Sequence, residues 1–155
     1  MLIMVKKDKN IRMKNWKLKI ENWKALAKDL KNIVRNKSKL FAIRIVKLSQ
    51  HLQEQYHEYV LSRQILKSGT SIGANVRESK NAQSLPDFIS KLEIALKESD
   101  ETEYWLEILY ETEYITQVQF ESMIADNKEL TALLVSIIKT NKAKRDLEKN
   151  KSINH

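Results

Sequence analysis

Two glycines and one proline in 155 residues leave this chain almost no means of turning sharply. A β-rich or α/β chain needs such punctuation at every strand end, so the scarcity points to a few long helices joined by short connections. Both glycines stand four residues apart, Gly69 and Gly73, inside Ser68-Gly69-Thr70-Ser71-Ile72-Gly73-Ala74-Asn75-Val76. Glycine costs roughly 1 kcal/mol against alanine within a helix, and a pair on one face predicts that a neighbouring backbone comes unusually close. With 42% apolar residues the chain can fill one modest core.

Helical spacing organises the rest. Trp16, Ile20, Trp23, Ala27, Leu30 and Val34 recur at intervals of four and three and predict an amphipathic helix over 14–35. Lys37-Ser38-Lys39 interrupts the pattern, and Ser38 is placed to cap a new helix bearing Phe41, Ile45, Leu48 and Leu52. Gln53 to Glu58 reads as a connection, followed by a helix from Tyr59 to Ala82 with Leu61, Ile65, Gly69, Ile72 and Val76 inward. Ser84-Leu85-Pro86-Asp87 marks the sharpest helix start, with a serine cap, a proline that needs no donor and an acid at the positive helix end. Phe88, Leu92, Ala95, Ser99, Thr102, Leu106 and Leu109 continue that helix inward, and Ile89, Leu96, Trp105 and Ile108 broaden the face. Thr116 and Gln119 offer a capping box for a last helix carrying Phe120, Ile124, Leu130, Leu134, Ile137 and Ile138.

The expected fold is all-α: an up-down-up-down antiparallel four-helix bundle over 38–140, preceded by an additional N-terminal helix in a basic arm over 1–37 and followed by a basic tail over 141–155. Charge follows the same division. Residues 1–40 hold 13 Lys/Arg against 3 Asp/Glu, residues 41–140 hold 10 against 15, and residues 141–155 hold 5 against 2. Basic ends on an acidic body suit contact with phosphate or an acidic partner, and equally suit solvating tails. No cysteine is present, which rules out disulfides and thiolate chemistry and fits a cytoplasmic location. The N-terminus lacks a signal-peptide core and no run of 18 apolar residues could span a bilayer, so no membrane role is expected.

Phe41-Ala-Ile-Arg-Ile-Val-Lys-Leu48, the run from Tyr59 to Glu78 with its Ser71-Ile-Gly-Ala-Asn-Val-Arg-Glu78 core, and Asp87 to Leu106 resemble the four-helix-bundle proteins of the 23S rRNA intervening-sequence family. The likeness extends through Ile138. Members are small bacterial bundles, some encoded within sequences that interrupt ribosomal RNA genes. They are similar to the accessory protein of diversity-generating retroelements, a pentamer that associates with nucleic acid and a reverse transcriptase. The resemblance implies a homopentamer and contact with RNA, and it transfers no enzymatic activity. The family bundle begins near Lys37, so the 14–35 helix is a departure: an appended arm, or an over-long gene start with Met13 as the alternative.

Catalytic and metal constellations do not assemble. Glu54-Gln55-Tyr56-His57 matches the Glu-x-x-His of di-iron bundles once, with no second copy. Glu98, Asp100, Glu101, Glu103 and Glu107 can be a cation site, a solvated face or one side of a subunit contact. Three histidines leave little for acid–base work, so no enzyme, cofactor or metal is expected. Asn75 is expected to be a buried residue that fixes helix register, and Arg77 to reach RNA or an acidic neighbour. Lys14, Lys17, Lys24, Lys28, Lys31, Arg35, Lys37, Lys39 and Arg77 are the candidate nucleic-acid contacts, with Trp16 and Trp23 able to stack on unpaired bases or, lying on the apolar stripe, to pack on the bundle or another subunit. Two functions follow: a non-enzymatic oligomer that binds RNA or a nucleic-acid-processing partner, or a protein–protein scaffold with no nucleic-acid role.

Overall fold

A computed structural model describes residues 2–153, with side chains from Lys9 onward. It contains four helices and, among the described residues, no strand: α1 (Leu2–Tyr56), α2 (Leu61–Ser79), α3 (Leu85–Glu111) and α4 (Gln117–Ile153). The chain divides into two compact units between Asn32 and Ile33.

The second unit is the bundle. Cross-helix contacts fix its topology. Ser49 Oγ donates to Ser62 O (3.1 Å) between α1 and α2. Thr102 Oγ1 donates to Ser68 Oγ (3.0 Å) between α2 and α3, Asn127 Nδ2 donates to Ser99 O (3.0 Å) between α3 and α4, and Lys37 meets Glu129 (2.9 Å) between α4 and α1. With Ser38 against Gly73, Glu78 against Lys91 and Glu93 against Lys142 as second contacts, rising numbers on one helix meet falling numbers on the next, as in an up-down-up-down bundle. Phe41, Ile45, Leu52, Ile65, Ile72, Leu92, Leu106, Leu109, Leu130 and Leu134 fill the interior.

The expected break at 37–39 is absent. α1 runs through it, and Ser38 is buried, its Oγ donating to Arg35 O within the helix. The additional N-terminal helix is therefore the first part of α1, not a separate element. The two helices meet closely here: a Cβ on Gly73 would lie 3.2 Å from the backbone oxygen of Ser38, and one on Gly69 would lie 2.6 Å from Ile45. The glycine pair does admit a neighbouring helix, as its spacing predicts.

Connections are short and self-capped. α2 begins at Leu61, where Glu58 accepts from the backbone N–H groups of Val60, Leu61 and Ser62 (2.9, 2.9 and 2.7 Å). Burial opposes the charge on Glu58, but these backbone donors and the Ser62 hydroxyl outweigh it and hold its carboxyl below the ordinary glutamate range. Ser84 caps α3 by accepting from Asp87 N–H (3.2 Å), while Asp87 accepts from Gln83 N–H (3.0 Å). Thr116 and Gln119 form the expected reciprocal box, at 3.2 and 2.8 Å.

Candidate nucleic-acid interface

Close approach of α1 and α2 at the glycines leaves a cleft of about 460 Å³ beside the contact. Small residues line it, Ala42, Gly73 and Ala74, and at Gly73 a side chain would press on the α1 backbone. Its walls are basic. Arg35 and Lys39 stand one turn apart on α1, Arg77 stands in the last turn of α2 with Lys80 just beyond its end, and among the described residues no carboxylate lines the cleft. Clustered cations of this kind attract anions. Guanidinium groups can grip a phosphate with two parallel hydrogen bonds, while lysines act as point charges.

Of the nine basic residues expected to touch nucleic acid, three gather here: Arg35, Lys39 and Arg77. Lys80 joins them. It went unnoticed in the sequence, although its place three residues after Arg77 put it on the same helix face. Lys37 lies elsewhere, paired with Glu129 on α4. Lys14, Lys17, Lys24 and Lys28 are exposed in the first unit, with the less exposed Lys31 beside them in sequence. Trp16 and Trp23 are 66% and 70% exposed within the chain.

Asn75 does not take the buried role expected of it. It is only partly buried and its Nδ2 donates to Ser71 O within α2. Asn127 has that role. It is fully buried, it donates to Ser99 O, and its Oδ1 accepts from Ser99 Oγ (3.2 Å), tying α4 to α3 from both ends of one amide. Glu78 accepts an ion pair from Lys91 on α3 (2.8 Å), which raises the lysine's proton affinity.

The remaining candidates carry less chemistry. Glu54 lies in the last turn of α1, which ends at Tyr56, while His57 sits beyond it at φ 50°, and among the described residues no group of three His, Cys, Asp or Glu side chains is arranged to hold a metal. In the acidic run of α3, Glu98 is raised above the ordinary glutamate range, first by burial and then by Glu101, with Lys67 opposing. No helix among the described residues is long and apolar enough to cross a membrane.

An antiparallel all-helical bundle with a small-residue helix contact and a basic cleft beside it is the class of protein these features define. The family model described as 23S rRNA-intervening sequence protein matches residues 30–136, and the chain belongs to that family. A solved structure from Bacteroides thetaiotaomicron VPI-5482, described as a protein with unknown function from the S23 ribosomal protein family, is 58% identical with a TM-score of 0.70. The alignment covers 71% of this chain and 98% of that one. No curated protein matches.

Proposed function

We propose that this chain is a non-enzymatic, oligomeric helical bundle of the cytoplasm that binds structured RNA through its basic surfaces, with the α1–α2 cleft as the principal phosphate contact. The observation that carries this reading is the convergence of Arg35, Lys39, Arg77 and Lys80 on one cleft. Lysines of the first unit add a sequence-independent phosphate attraction. The cleft carries no aromatic ring among its lining residues, so the reading favours backbone contact over base readout. Assembly of several copies, with the pentamer as the expected state, would multiply these contacts.

A gel-shift titration of a structured RNA tests it. Four phosphate contacts predict a loss of affinity on the order of 100-fold between about 50 and about 200 mM salt. Arg77→Glu with Lys80→Glu should weaken binding at least about tenfold and flatten the salt slope. Absence of binding at low salt, or binding indifferent to salt, overturns the proposal. The second reading, a scaffold whose partner is a protein, draws on a different observation: the exposed apolar face of the N-terminal helix.

A further inference from the structure

Two surfaces of this molecule are amphipathic, exposed and opposite in charge. On the N-terminal part of α1, Trp16, Ile20 and Trp23 share one helix face and are 66%, 38% and 70% exposed. Lys19 and Lys24 stand on either side of that stripe, in a segment with 13 basic residues against 3 acidic. On α3, the exposed residues include Tyr104, 52% exposed, with Asp100, Glu101 and Glu107 within one turn of it, and, further toward the start of the helix, Ile94, 39% exposed, with Lys91 and Lys97 one turn to either side. Tyr104 packs edge-on against Trp105 (centroids 4.9 Å apart), whose indole N–H donates to Glu101 Oε1 at 3.2 Å. Helix α3 as a whole carries eight Asp/Glu against two Lys.

We infer that the Trp16–Ile20–Trp23 face of one copy docks on the acidic Tyr104 face of α3 in a second copy. Charge decides the pairing. Two basic arms laid together repel, and so do two acidic α3 faces, whereas arm against α3 brings lysines to carboxylates around an aromatic centre. The contact is head-to-tail, joining different surfaces of identical chains, and both surfaces are supplied in equal number by one gene product. Tryptophan at its centre supplies the kind of anchor that dominates interface energies. This inference rests on the oligomeric part of the function proposed above and is independent of the RNA part.

Sedimentation equilibrium of the full chain across a wide concentration range tests it. Trp23→Ala should weaken self-association about 30-fold or more. Lys19→Glu with Lys24→Glu, and separately Glu101→Lys with Glu107→Lys, should each weaken it about tenfold or more. Combining all four reversals should restore it to within a few-fold of the unmodified chain, which no general loss of folding would do. Arm variants that keep the wild-type mass, or a fourfold variant no better than either pair, overturn the inference while leaving the oligomer standing. Arm variants that keep their mass but lose RNA retention assign the stripe to RNA and overturn it likewise. A wild-type chain that stays monomeric throughout removes both the contact and the oligomeric reading.

Discussion

The bundle and the N-terminal helix are written in the same spacing of threes and fours, yet the two patterns end in opposite states. Phe41 and Ile45 are 1% and 0% exposed, while Trp16 and Trp23, on an equally regular stripe, face solvent within the chain. Amphipathic period tells which side of a helix seeks burial and says nothing about what will bury it. In the bundle three other helices of the same unit cover the stripe, whereas the first unit holds only the first part of α1. The family match begins at residue 30, so the two regions also differ in what the family model accounts for.

Lysine placed on the apolar stripe of each region should have opposite consequences. Ile45→Lys places an unpaired charge in a sealed interior beside Gly69 and should cost about 4 kcal/mol or more. Trp23→Lys should change the urea midpoint of the dilute chain by less than about 0.5 kcal/mol equivalent, as exposed substitutions do. Equal losses at the two sites would mean that the arm unfolds as part of the bundle core.

A smaller effect separates two asparagines. Asn127→Ala strips Ser99 O and Ser99 Oγ of their amide partner in the core, and thermal melts should show a loss of about 2 kcal/mol. Asn75→Ala removes a hydrogen bond at the helix surface and should cost under about 0.5 kcal/mol. A reversed order would return the register role to Asn75.

These asparagines also show where reading the sequence stops. Asn75 lies between Ile72 and Val76, but the buried line of α2 runs through Ile65, Gly69, Ile72 and Val76, leaving Asn75 at its edge. Asn127 fills the slot between Ile124 and Leu130 that the apolar pattern skips, and that gap was the signal. Both helix starts with reciprocal side-chain bonds were legible because each is a local exchange within four residues. Ser38 was not, since a serine caps a helix or slips under a neighbour equally well, and only the facing Gly73 decides. The cleft is harder still. Arg35 and Lys39 look no different from seven other cations until antiparallel packing sets them opposite Arg77 and Lys80, more than 35 residues away in sequence.

The connection between α1 and α2 holds an effect that pH can move. Glu58 ties the end of α1 to the start of α2 by accepting from three backbone N–H groups, a charged cap on the positive end of a helix. Its proton affinity is lowered on folding, so its contribution is present above the ordinary glutamate range and disappears as pH falls through the depressed value. Glu58→Gln keeps the shape and one acceptor oxygen but removes the charge. At neutral pH it should lower stability by about 1 kcal/mol, the usual scale of a lost cap. The gap between variant and unmodified chain should then narrow as pH drops below the glutamate range, because the unmodified side chain becomes neutral as well. Melting curves at neutral and acidic pH measure the difference. A gap that persists in acid would locate Glu58's contribution in its packing, and a gap that widens would reverse the sign of the linkage.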